Sequence, residues 1–366
     1  MLKECNYKAL SQELLSIDVM QRLLVLQQTK GKIEIYQQFK EPLFDILQEK
    51  ALLNDLTSMP ISCSKTMVEN NIIKKFLPKN VDSKEIVNYY ELLKKDVYKN
   101  QCKAMISKED IISLHSQLFH KIKWAKAGVL KTENNGIKVY SKGRVQNVLI
   151  TIDKSKTKDY LDEICDSFNQ AIKESKGYEI VAISLFIVDL MYVYPFNYGN
   201  QDLIRVVLQL LLYRCGYRAV KYSSVQKIIK SVDFRFNETL KYSLGNRRSA
   251  YLDDKNVYAG FLKLLMLIVS KVYDDLCDKV ESVPEKGFKY DRIKLLFDKK
   301  NKEGKYVYLN KKEIMEMCPD ISTTTIERAL TQLVKSNCIK KLGYTTCTHY
   351  QKKHRKNRKI MKKKKY

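Results

Sequence analysis

The sequence predicts a mainly α-helical fold, on three observations. Gly and Pro are scarce, with 12 and 6 in 366 residues. Leu, Ile, Lys and Tyr abound, and apolar residues recur at helical spacing along most of the chain. A turn-rich β fold needs the opposite balance. With 45% hydrophobic and 30% charged residues, the chain is globular rather than disordered, and long enough for two or three cores.

The elements follow in order. Residues 1 to about 60 carry helical spacing in Leu23, Leu24 and Leu26, then in Ile35, Phe39, Leu43, Ile46 and Leu47. A helix is predicted from Ser83 to Lys95, with Ile86, Tyr89, Tyr90 and Leu93 as its core stripe. Ser107 is an N-cap for a helix over 109–119, which turns Ile111, Ile112, Leu114, Leu118 and Phe119 inward. Val139-Tyr140, the turn Ser141-Lys142-Gly143-Arg144 and the run Val145 to Ile152 read as a β-hairpin. Two apolar helices come next, over 180–193 and 203–214. Pro195 ends the first, Gly199-Asn200 allows a tight turn, and Gly216 stops the second. A further helix runs from 258 to 276, and the stretch from Ser282 to Gly287 marks a domain boundary.

Beyond that boundary come a helix over 290–298, a short strand from Tyr306 to Leu309, helices over 311–317 and 323–336, and a final β-prone piece. Together they make a winged helix-turn-helix. The 323–336 helix gathers Ile326, Ala329, Leu330, Leu333 and Val334 on one face, behind Ser322 as N-cap. Thr323, Thr324, Arg328 and Gln332 occupy the other face, where such a helix reads base edges in DNA. Lys340, Lys341 and the basic tail would then contact phosphate. DNA is one expected partner of this module and another protein is the alternative.

The formal charge of +26 attracts polyanions by long-range steering, or reflects lysine faces in water. Nine Cys without a CxxC pair read as reduced thiols in a cytoplasmic protein, neither a disulfide frame nor a metal site. The start, MLKECNYKAL, lacks the apolar region of a signal peptide. The most apolar run, 180–193, is too short to span a bilayer and contains Asp189, so no membrane association is expected. His115 and His120, five apart, do not share a helix face and read as structural histidines.

The turn between the two apolar helices carries the chemistry. A Gly-containing loop that opens into a helix presents unpaired N–H groups and a positive dipole end, which attract phosphate or carboxylate. Arg205 lies one turn inside, placed to complete an anion pocket. The segment Tyr194-Pro195-Phe196-Asn197-Tyr198-Gly199-Asn200-Gln201-Asp202-Leu203-Ile204-Arg205 resembles the motif HPFx(D/E)GNGRxxR of the Fic/Doc (Fido-fold) family. Val68-Glu69-Asn70-Asn71, EIVNYYEL from Glu85, the stretch Ile112 to His115 with Gly128 and Lys131, Val257 to Leu276, and Cys318 to Leu333 are similar to other segments of that family. The likeness covers about residues 60 to 340.

The resemblance implies a Fic/Fido helical core with a small β-hairpin flap, which in the family binds a target segment by strand addition. On it the chain divides into an N-terminal helical region with a partial inhibitory motif (1–105), a Fido core (106–280), a winged helix (288–350) and a basic tail (351–366). It also implies relation to protein adenylyltransferases, which move AMP from ATP, with Mg²⁺, to a protein hydroxyl. Residue by residue, the motif has changed. Tyr194 stands where the family has its catalytic His, a general base, and a phenol with a pKa near ~10 is a poor base at neutral pH. Tyr198 replaces the acid that holds Mg²⁺, Gln201 replaces the second Gly, and Asp202 replaces the first Arg. Phe196, Gly199, Asn200 and Arg205 remain as nucleotide- and anion-binding positions, and Glu69 matches the inhibitory Glu, expected to pair with Arg205.

Base, metal ligand and phosphate cation are thus lost together. The expectation is a pseudoenzyme with a regulatory role toward a protein target or partner. Two alternatives stay open. One is an active transferase with a rearranged site, using ATP as its substrate. The other is a DNA-binding transcriptional regulator in which the core is a dimerisation or sensing scaffold, hence a possible homodimer.

Overall fold

Glu179–Val193 is apolar on nearly every side, and a helix without a polar face has to be buried all round. Every residue from Ile180 to Met191 is indeed buried. The structure, a computed structural model, describes residues 6–39, 41–58, 65–74, 77–78, 80–98, 104–141, 144–232, 236, 238–239, 242–244, 255–282, 285–297, 306–319, 321–343 and 348–353. The chain divides into two compact units, residues 1–35 with 45–278 and residues 36–44 with 279–366.

In chain order the described helices up to the second unit are α1 (Tyr7–Leu14), α2 (Ile17–Phe39), α3 (Glu41–Ser58), α4 (Lys65–Val68), α5 (Val81–Leu92), α6 (Lys108–Leu118), α7 (Thr157–Glu174), α8 (Glu179–Val193), α9 (Asn200–Arg214), α10 (Val225–Ser231) and α11 (Lys255–Glu281). Single π-helical turns, Glu69–Ile73 and Leu93–Val97, extend α4 and α5. Helix α8 packs on α7 and α9, and α1 lies against α7 and α8. One carboxylate sits inside this packing. Asp189 is fully buried, and the hydroxyls of Tyr7 (2.6 Å) and Tyr258 (3.1 Å) donate to it. A buried charge has to be hydrogen-bonded in this way, so the contact pins α1 and α11 to the central helix. Helix α11 is long and apolar enough to cross a membrane by length and composition, but 61% of its apolar window is buried in the protein.

Strands β1 (Gly136–Ser141) and β2 (Arg144–Ile150) pair antiparallel from Gly136 opposite Ile150, with a bulge between Val139 and Tyr140. The hairpin begins three residues earlier than the sequence suggests. Its turn residues 142 and 143 lie outside the described residues.

The second unit holds α12 (Glu285–Leu296), β3 (Tyr308–Asn310), α13 (Lys311–Met317), α14 (Thr323–Lys335), β4 (Ile339–Leu342) and β5 (His349–Lys352). The strands form an antiparallel sheet in the order β3-β5-β4. Ile293, Phe297, Leu309, Ile314, Ile326, Leu330, Leu333 and Ile339 make its core. At about 1.5–3 kcal/mol per buried apolar side chain, the stripe along α14 is what fixes that helix.

Several local expectations change. Helix α5 is capped by Asn80, with Ser83 as the third residue of a capping box, because Asn80 reaches the Ser83 N–H at 2.9 Å. Ser322 does hold the N-cap position of α14, but its hydroxyl contacts the Thr325 hydroxyl (2.9 Å) and no backbone N–H. Leu24, Ile35 and Ile46 are exposed, since the apolar residues of α2 and α3 outnumber the positions facing the core. Helix α12 starts at Glu285, inside the segment read as a boundary. Cys165, Cys215, Cys277, Cys318 and Cys338 are free thiols, while Cys5, Cys63, Cys102 and Cys347 lie outside the described residues.

Candidate functional site

Between α8 and α9 the chain turns through two left-handed residues. Tyr194 (φ +45°) ends α8, and its N–H bonds the Leu190 carbonyl; Gly199 (φ +71°) precedes α9. At Gly199 a side chain is also excluded by space, because a Cβ would lie 2.0 Å from the Phe119 ring. Asn200 then closes the loop on itself. Its Oδ1 accepts from the Phe196 N–H (2.9 Å) and its Nδ2 donates to the Phe196 carbonyl (2.6 Å). Phe196 is fully buried with its ring stacked flat on His115, centroids 3.7 Å apart.

The neighbouring segments hold this loop from outside. His115 Nδ1 accepts from the Gly128 N–H (2.9 Å), so its proton sits on Nε2, which lies 3.0 Å from the Tyr198 carbonyl. Burial pushes the His115 pKa down to about 4, against the pull of that carbonyl bond, and the ring is neutral at neutral pH. Lys131 donates its backbone N–H to Pro195 (2.8 Å) and its buried ammonium to the carbonyls of Val193 (2.9 Å) and Ile152 (2.7 Å). Burial lowers its pKa to about 8. Asn135 adds Nδ2 bonds to the Phe196 and Tyr194 carbonyls (2.8 and 3.3 Å).

The charges are not those of a phosphate cradle. Tyr198 turns its hydroxyl onto the buried carboxylate of Glu85 (2.8 Å). Burial raises the pKa of both groups, and Glu85 adds to the rise at Tyr198. A phenol that donates to a carboxylate does not fit a magnesium ligand, which offers an anionic or carbonyl oxygen. Asp202 lies in the first turn of α9, half-buried, and its Oδ1 has no hydrogen-bond partner. Its carboxylate occupies the electrostatic position that an incoming anion would seek at the helix start. Burial, reinforced by Glu85 and opposed by Arg205, raises its pKa to about 6. Tyr194, at the position of the family's His, is likewise pushed up by burial and by Asp202.

Arg205 does not reach into open space. It donates to the Gln226 side chain (2.5 Å), and its guanidinium lies 5.8 Å from the Phe236 ring centre. Beside it stands a second buried acid, Asp55, which accepts from Ser224 Oγ (2.6 Å), the Gln226 N–H (3.0 Å) and Gln209 Nε2 (3.1 Å). Burial lifts its pKa to about 6, against these bonds and the charge of Arg205. The side chain of Glu69, expected to pair with Arg205, lies outside the described residues; its backbone opens the π-helical turn after α4.

The motif residues Tyr194, Phe196, Gly199, Asn200 and Arg205 thus come together, with Arg205 held on the inner side by Gln226. Glu85, Asp55, Gln226, Asn135 and Trp124 belong to the same neighbourhood, and sequence reasoning missed them. Only the lone Trp carried a signal. In the second unit, Thr324, Arg328 and Gln332 lie with Glu327, Thr331 and Lys335 along one exposed face of α14. Thr323 is turned aside, its hydroxyl 3.8 Å from the Met315 sulfur.

The raised pKa of Asp202 has a measurable consequence. Between its ordinary value of 3.8 and its folded value of about 6, the folded state keeps a proton that the unfolded chain has released. Stability therefore falls as pH rises through that window and stays lowered above it. Asp202→Asn is expected to stabilise the protein by about 1–3 kcal/mol near pH 8 and by nothing below about pH 4. Urea unfolding of the two proteins at both pH values checks this; a destabilised variant near pH 8 would contradict it.

Comparison with known proteins agrees with this geometry. Residues 105–212 match the sequence profile of the Fic/DOC family. No curated protein matches the chain. Its fold is similar to that of a Fic domain containing signaling protein from Bacteroides thetaiotaomicron, at a TM-score of 0.58 and 14% identity, over 72% of this chain and 98% of that one. It is also similar to a Fic family protein from Desulfovibrio desulfuricans, at TM-score 0.54 and 14% identity, over 92% and 97% of the two chains. A third likeness is to Fic-1 from C. elegans, at TM-score 0.50 and 14% identity, over 74% and 76%. The motif loop and the helices on both sides of it thus lie within the segment that matches the Fic/DOC family profile, and the fold is similar to that of Fic-domain structures.

Proposed function

We propose that this Fic-domain protein has lost ordinary AMP transfer and uses the domain as a regulatory binding module for a protein partner. The observation that carries this reading is the internal neutralisation of Arg205. Its guanidinium bonds Gln226, and two acids, the buried Asp55 and the half-buried Asp202, act on it electrostatically. A phosphate entering the loop would meet Asp202 and Glu85 before it met a free cation, and like-charge repulsion is strong in a partly buried site. Proton transfer is affected too. With its pKa raised, the Tyr194 hydroxyl stays protonated at neutral pH and has no base function to offer. The β-hairpin supports the partner role, since β2 exposes the apolar side chains of Val145, Val148 and Ile150.

The test is incubation of the intact chain, and of Glu69→Gly, with cell extract and ATP labelled at the α-phosphate. No protein should become labelled with either form. Labelling by either form would favour instead an active transferase with a rearranged site.

A second reading rests on the exposed face of α14. Three helices and a three-stranded antiparallel sheet in the second unit support a winged-helix reading, and Arg328 and Gln332 stand exposed on its α14. On this reading the unit binds duplex DNA through that helix. Arg328→Ala should then weaken binding of a target duplex about tenfold, in keeping with the loss of one base-edge contact. Fluorescence anisotropy across a salt series measures it, and binding that ignores Arg328 would sink the reading.

A further inference from the structure

The chain contains a single Trp, and it is exposed. Trp124 sits in a short 3₁₀ turn, Lys123–Ala125, with 57% of its surface open. An exposed indole usually moves freely, but this one meets the Tyr198 ring edge to face, centroids 4.4 Å apart at 68°. Tyr198 is itself fixed, by its hydroxyl on Glu85 and by its carbonyl at His115. The indole is thus anchored along one side and open on the rest.

Its neighbours complete a pattern. Lys121, Lys123 and Lys126 are all exposed, and none of their ammonium groups makes a hydrogen bond or ion pair among the described residues. Lys8, Lys94 and Lys95 in the same unit pair with Glu174, Glu49 and Glu91, whereas no acid among the described residues meets these three. Glu85, the acid that meets Tyr198, is buried and already accepts its proton. Lys121 (φ +63°) and Lys126 (φ +47°) also bracket the Trp in left-handed backbone, a conformation that residues other than Gly rarely adopt.

A fixed aromatic face among unpaired cations fits one ligand chemistry, a base joined to phosphates. We propose that the loop from Lys121 to Lys126 binds single-stranded nucleic acid, with a base stacked on Trp124 and phosphates on Lys121, Lys123 and Lys126. Base stacking is tolerant of sequence because every base has a π-face, and unpaired lysines supply the backbone contacts. An anionic membrane is disfavoured by the rest of the loop. Ile122 and Ala125 are buried, so Trp124 is its one exposed apolar side chain, whereas membrane-binding segments present a broad apolar face. The site touches the motif loop through Tyr198 but draws on none of that loop's charged side chains.

Because the Trp is unique, its fluorescence reports on this site alone, whatever the basic tail binds. The intact protein is titrated with an oligo-deoxythymidine of about 12 nucleotides, within the usual span of such sites. ATP and phosphatidylserine vesicles are titrated separately. Saturable quenching by the oligonucleotide, well below the concentration at which ATP acts, is the expected result. With a fluorescently labelled oligonucleotide, Trp124→Ala should weaken binding about tenfold. Lys123→Gln with Lys126→Gln should keep the Trp and flatten the salt dependence by about 0.7 in log–log slope for each lysine that holds a phosphate. Quenching by vesicles or by ATP without any by the oligonucleotide would overturn the proposal. So would oligonucleotide affinity that survives all three changes.

Discussion

His115 takes a hydrogen bond from Gly128, places Nε2 on the Tyr198 carbonyl and lays its ring on Phe196. Through those three contacts α6, the turn after it and the loop between α8 and α9 become one rigid piece. The arrangement requires a neutral imidazole with its proton on Nε2, and burial ensures that by lowering the pKa to about 4. Asn200 and Asn135 then close the remaining carbonyls of the loop. Gly199 completes it where Phe119 leaves no room for a side chain.

Shape and charge have parted company around this piece. The turn, the buried Phe and the start of α9 keep the form of an anion-binding loop, and form depends on packing and backbone bonds. Charge depends on a few side chains that packing does not fix. Asp202 and Glu85 now face the loop, Tyr198 commits its hydroxyl to Glu85, and Arg205 is drawn to Gln226 beside Asp55. Burial raises the pKa of both Asp55 and Asp202 to about 6, so both stay mostly ionised at neutral pH and take up protons only under mildly acidic conditions.

Much of this could be read from sequence. Helices α6, α8, α9 and α14 follow from their apolar spacing, and the motif residues could be placed because Pro195, Gly199 and Asn200 mark a turn between two apolar runs. What periodicity could not give was the partnership of residues far apart in the chain. Asp55 is a single acid on a helix until the fold brings Ser224, Gln226 and Gln209 to it from 154 to 171 residues away. Glu85 and Lys131 fall in family-like segments, but that Tyr198 is set against the one and that carbonyls surround the ammonium of the other follow only from the fold. The start of α5 was displaced for a local reason, since Asn80, Asp82 and Ser83 can each cap a helix and only geometry selects one.

On the function proposed here, the loop retains its form but no longer accepts a nucleotide phosphate. Calorimetric titration of the intact chain with ATP and Mg²⁺, alongside Arg205→Ala, tests it most directly. The account predicts no saturable heat dependent on Arg205. A micromolar dissociation constant that disappears in Arg205→Ala would contradict it, and would mean that the guanidinium leaves Gln226 to hold phosphate.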